Sequence, residues 1–135
     1  MGEIKAELSK KSKYWIPKHR YYELKHFCLQ YPEWKKEYML AQFKMEVSPI
    51  IVKGQKAQGR PVENLEISRG EIFEKLDLVE RTCRDADLIL AKWLLKSVTE
   101  GVSFTRLKML YDIPCERDMF YDRYRKFFWL LSRRC

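Results

Sequence analysis

Arg117, Asp118, Tyr121, Asp122, Arg125 and Lys126 gather on one side of a helix near the end of this sequence, and Arg106 and Lys108 stand on the short segment before it. A guanidinium at Arg125 can fork onto a guanine edge or a phosphate, and the Tyr121 phenol can bond a phosphate or meet a thymine methyl. Asp118 and Asp122 repel phosphates, so on such a surface they orient neighbouring arginines or accept a bond from cytosine. These residue types suit double-stranded DNA. Nothing comparable suits catalysis. There is no phosphate-cradling glycine loop, no metal-ligand cluster and no nucleophile–histidine–acid set, so the expectation is no enzyme, no cofactor and no small-molecule substrate.

Cys28, Cys83, Cys115 and Cys135 are scattered, with no close pair of the kind zinc requires. His19 and His26 near Cys28 read as the polar edge of an amphipathic helix, and no metal is expected. The thiols read as free in a reducing compartment. No apolar run is long enough to span a membrane, and the N-terminus has neither a secretory apolar core nor a myristoylation pattern. A cytoplasmic protein without a membrane partner is expected. The net charge of +8 is uneven: residues 1–60 hold 13 Lys/Arg against 6 acids, residues 61–101 hold 6 against 9, and residues 102–135 hold 8 against 4. Both basic ends suit a polyanion, although the same balance serves solubility.

The elements that would position these side chains are all helical. Residues 1–13 are rich in Lys, Glu and Ser and read as frayed. Pro17 opens a helix whose inner face is Tyr21, Leu24, Cys28 and Tyr31, and Pro32 ends it and opens the next, with Trp34, Tyr38, Ala41 and Met45 inward. Pro49, Gly54, Gly59 and Pro61 punctuate a long loop, where Lys53, Lys56 and Arg60 could follow a phosphate backbone. Ser68 and Glu71 have the capping-box form. After them Ile72, Leu76, Val79, Cys83, Ala86, Leu90 and Trp93 keep a 4-3 spacing, which also permits a coiled-coil dimer. A break is expected near Asp85–Asp87, followed by a segment from Leu88 to Val98 that is apolar nearly all round and belongs in the middle of a bundle.

Gly101 then ends that helix, Ser103 caps a short one with Phe104, Leu107 and Leu110 or Tyr111 inward, and Asp112 takes a left-handed turn. Ile113 plugs the turn, and Pro114 forbids continuation through it. In the last helix, over residues 116–134, Phe120, Tyr124, Phe127 and Leu131 fall within about 60° of one another and must dock inward. Phe128 and Trp129 lie partly outside that face and could form an apolar patch.

On Glu100–Phe104, Asp112–Pro114 and Phe120–Arg123, the stretch Leu94–Leu131 resembles the helix-turn-helix of sigma-factor region four. It is more similar still to phage transcriptional regulators of the RinA/ArpU type. The whole chain, through Tyr14–Leu24 and Tyr31–Lys35, is similar to small prophage proteins. The resemblance implies a nucleoid-associated regulator in the bacterial host cell. In such modules the recognition helix starts sooner after the turn's apolar plug; here Cys115–Asp118 lengthen the connection.

The expectation is therefore an all-α helical bundle. Residues 1–47 form an N-terminal helical segment, 48–64 a linker or loop, and 65–135 a helical domain with the helix-turn-helix. A homodimer would read two half-sites about one helical turn apart, while a sigma-like monomer would touch RNA polymerase. The alternatives are a small-terminase-like packaging accessory and a protein-interaction module that binds a host protein.

Overall fold

The computed structural model describes the backbone over residues 13–53 and 62–135, and the side chains over 13–44 and 69–135. The described residues are all-α, with no strand among them: α1 (Lys18–Leu29), α2 (Tyr31–Lys53), α3 (Val62–Ala86), α4 (Ala91–Glu100), α5 (Phe104–Leu110) and α6 (Arg117–Arg134). They divide into two compact units. One takes the chain up to Gln30 together with Leu78–Cys135, and the other takes Tyr31–Asp77.

This division differs from the segments expected from sequence. α1 packs against α4 and α6 rather than forming one piece with α2. α2 runs through Pro49 to Lys53 and α3 begins at Val62, so the expected loop 48–64 is helical at both of its ends, and residues 54–61 lie outside the described residues. The physical reason is that proline's fixed φ is itself helical, so Pro49 removes one intrahelical bond without ending the helix. Ser68 and Glu71 lie well inside α3 rather than at its start, so no capping box is needed there.

In the first unit, Pro17 is the N-cap of α1, and its carbonyl accepts the Tyr21 N–H at 2.9 Å. Tyr21, Leu24 and Cys28 of α1, Val79, Cys83, Ala86 and Leu90, Leu94 and Val98 of α4, and Phe120, Tyr124, Phe127, Phe128 and Leu131 of α6 are all buried, and α1 packs on α4 and α6. The Tyr21 and Tyr124 hydroxyls share a buried hydrogen bond of 3.0 Å. Burial pushes the Tyr124 pKa well up, and Tyr21 adds to the shift, so the Tyr124 phenol stays neutral. The expected coiled-coil seam is consumed here, since Val79, Cys83, Ala86 and Leu90 are covered by their own chain.

Polar groups close the C-terminal end of α6. Arg20 donates to the Ser132 and Cys135 carbonyls at 3.1 and 3.0 Å, filling acceptors that a helix C-terminus leaves open. Arg134 donates to Thr82 Oγ1 at 3.0 Å and to Asp85 at 2.7 Å, fastening the same end to α3.

In the second unit, Tyr31, Trp34 and Ala41 are buried and Tyr38 is half-buried. Lys75 Nζ lies 5.2 Å from the Trp34 ring centre, and the Tyr38 and Phe73 rings are 6.0 Å apart. Because the pairs run 34 to 75 and 38 to 73, α2 and this part of α3 are antiparallel.

Candidate nucleic-acid interface

The connection from α3 to α4 is built on one carboxylate. Asp87 Oδ1 accepts the Ile89 and Leu90 N–H groups, each at 3.0 Å, so residues 88–90 form a turn and α4 begins only at Ala91. Leu88 and Ile89 are exposed on that turn rather than buried in a bundle helix. The break near Asp85–Asp87 is where the sequence places it, but the apolar run misleads, because a short acidic side chain competes for the backbone donors. Asp87 Oδ2 also accepts from Arg123 Nε at 3.0 Å, which ties this turn to α6. Arg123 bonds Asp122 as well. The bond to Asp87 pushes the Arg123 pKa up despite partial burial, and Asp122 adds to it.

Gly101 ends α4 at φ +70°, where a side chain would be strained, and its N–H bonds the Ser97 carbonyl at 3.0 Å. Ser103 Oγ then accepts the Arg106 N–H at 3.3 Å as the N-cap of α5. Phe104 and Leu107 face inward as expected, whereas Leu110 and Tyr111 are exposed. In the connection to α6, Ile113 is buried as the plug. Asp112 is not left-handed: among the described residues only Gly101 has a positive φ. The turn is held instead by Lys108, whose Nζ donates to the Ile113 and Cys115 carbonyls at 3.1 and 3.4 Å.

α6 begins at Arg117 with Glu116 as its N-cap, and Asp118 sits in the first turn, where the helix dipole favours a negative charge. Phe120, Tyr124, Phe127 and Leu131 are buried as the spacing requires. Phe128 is buried too, against the Tyr21 ring at 5.1 Å, so it contributes no surface patch. Its burial follows from α1 docking on α6, a contact that widens the covered sector of the helix.

The residues proposed from sequence to touch DNA fall into three groups. Arg106 and Arg117 are exposed, Arg125 and Lys126 are half-buried, and these four cations enter no ion pair among the described residues. The Arg117 guanidinium lies 5.7 Å from the Tyr121 ring centre. Asp118 is exposed beside them, and Asp122 is engaged with Arg123. Lys108 and Tyr121 are occupied by the protein itself: Tyr121 Oη accepts the Phe104 N–H at 2.9 Å, and its ring packs edge-on to Phe120 and Tyr124. Lys56 and Arg60 lie outside the described residues, as does the side chain of Lys53 at the end of α2.

Further along the outer side of α6, Trp129 is half-buried with the Tyr14 ring 5.7 Å away and the Arg133 guanidinium 4.6 Å from its own ring centre. Arg133 thus prolongs the cationic side, at an i+4 step from Trp129 that periodicity alone could have marked. A cleft of about 530 Å³ opens between the end of α4 and α5, lined by Glu100, Val102, Arg106, Leu107, Leu110 and Tyr111 among others. Among the described residues no group of histidine, cysteine or acidic side chains could hold a metal ion, and no helix is long and apolar enough to cross a membrane. No protein-family model, curated protein or solved structure matches the chain.

Proposed function

We propose that the chain binds double-stranded DNA through the first half of α6 and the exposed side of α5, as a transcriptional regulator acting on the nucleoid of a bacterial host cell. The reading follows the resemblance to phage regulators of the RinA/ArpU type. One observation carries most of its weight: Arg106, Arg117, Arg125 and Lys126 are accessible and unpaired among the described residues, on two consecutive helices. Unpaired cations are available to replace the counterions of a phosphate backbone. Hydrogen bonds at Asp87, Tyr121 and Lys108 tie the first half of α6 and the turn before it to the fold. Arg20 and Arg134 tie its end, so the helix offered to a groove is anchored along its length. In this reading Arg125 is the residue aimed at bases or phosphates, and Tyr121 positions α5 rather than touching DNA. Selection from a random duplex library tests it: an enriched motif is expected, and retention of no duplex at low salt overturns it.

A second reading has its own observation. Met109, Leu110 and Tyr111 are exposed together at the end of α5, beside the cleft. An apolar surface of that kind suits a protein partner, RNA polymerase included. Binding to a host protein with no retention of DNA would favour it.

A further inference from the structure

The outer side of α6 changes character along its length. Arg117 to Asp122 hold two carboxylates, whereas Arg123 to Cys135 hold five cations and no carboxylate. In that second part Arg125, Lys126, Trp129 and Arg133 fall within about 100° of one another at 100° per residue. They stand opposite the buried Phe127 and Leu131. Arg133 is exposed, and its guanidinium lies 4.6 Å from the Trp129 ring centre. The segment before α1 reaches the same ring. The Tyr14 and Trp129 ring centres are 5.7 Å apart, and Lys13 Nζ lies 5.1 Å from the Tyr14 ring centre. Lys13 and Arg133 thus flank one aromatic pair, and both belong to the first unit.

Ion pairing accounts for none of these cations: Lys13, Arg125, Lys126 and Arg133 enter no salt bridge among the described residues. A cation in the last turn suits the helix dipole. Arg20 and Arg134 already serve that end, through the Ser132 and Cys135 carbonyls and through Thr82 and Asp85. With Tyr14 and Arg133 against it, the half-buried Trp129 offers no bare ring for a base to stack on. The surface therefore suits the backbone of a duplex better than a single strand. Arg125 and Arg133 are two turns apart, about 12 Å of helix axis. A duplex carries one charge per about 1.7 Å of its own axis, so a backbone laid along this stretch meets several cations. We infer that the second half of α6 and the segment before α1 form a phosphate track. One DNA strand passes along Arg125, Lys126 and Arg133, and Lys13 holds it from beside Tyr14. The inference rests on the DNA reading and adds to it a contact region that reaches outside the helix-turn-helix.

Salt dependence of binding and hydroxyl-radical footprinting, on a duplex retained from a random library, compare the full wild-type chain with Lys13→Gln, Arg133→Gln. The double variant is expected to keep the wild-type circular dichroism melt and to bind more weakly, with a salt slope shallower by about two. It should lose backbone protection at one flank of the footprint and keep the rest. Lys13→Arg with Arg133→Lys should hold the wild-type slope, because both charges remain. A Gln variant with wild-type affinity, slope and footprint overturns the inference and leaves the DNA reading in place. So does a Gln variant that loses binding to vesicles of anionic phospholipid with its duplex slope unmoved, which would assign the patch to a membrane surface. A wild type that retains no duplex at low salt overturns both.

Discussion

The Tyr121 hydroxyl accepts the backbone N–H of Phe104 at 2.9 Å, seventeen residues away and on another helix. Phe104 is the first residue of α5, so its N–H is one of the donors that a helix start leaves without an internal partner. Ser103 satisfies a second one, at Arg106. A tyrosine of the longer helix thereby completes the cap of the shorter one and sets the angle between them.

Tyr121→Phe keeps the ring and removes that acceptor. A loss of about 1 kcal/mol is expected from an unmade hydrogen bond of this kind, read as a lower urea midpoint with an unchanged slope. Duplex affinity should barely move. An unaltered midpoint would show that the bond does not hold α5 in place.

Asp87→Ala removes the acceptor for Ile89 and Leu90 together with the partner of Arg123. Loss of a cap of this type costs about 0.5–2 kcal/mol, and Arg123 then retains only Asp122. Asp87→Asn should recover part of the loss, because an amide oxygen can still accept the backbone donors. Equal melting of all three proteins would contradict the role assigned to this carboxylate.

Thiol reactivity should divide two and two. Cys28 and Cys83 are buried, and burial pushes both thiols well above their ordinary pKa, which suppresses the reactive thiolate. Cys115 is half-buried and Cys135 exposed. An Ellman assay is expected to count two thiols in the native chain and four after unfolding. Four in the native protein would refute the burial of Cys28 and Cys83.

Much of the C-terminal stretch, from Gly101 onward, is legible from spacing. Phe120, Tyr124, Phe127 and Leu131 declare the inner side of α6 because helical period alone selects them, and Gly101, Ser103 and Ile113 are local devices with local signatures. What escaped depends on partners distant in sequence. Tyr121 and Arg125 look alike on a helical wheel, but only Tyr121 meets the start of α5. Lys108 looks like a phosphate contact until the Ile113 and Cys115 carbonyls converge on it. Phe128 looks peripheral until α1 covers it. Leu88 and Ile89 fail in another way, since an apolar run says nothing of an aspartate that captures its backbone donors.

In the proposed function, the unpaired cations of α5 and α6 meet a phosphate backbone. Its most direct test is the salt dependence of duplex binding by fluorescence anisotropy, comparing the wild type with Arg125→Ala, Lys126→Ala. The logarithm of affinity should fall steeply with the logarithm of salt, and the double variant should bind more weakly with a slope shallower by about two, near 0.9 per lost phosphate contact. Identical affinity and slope for both proteins, at equal helicity, would contradict the account.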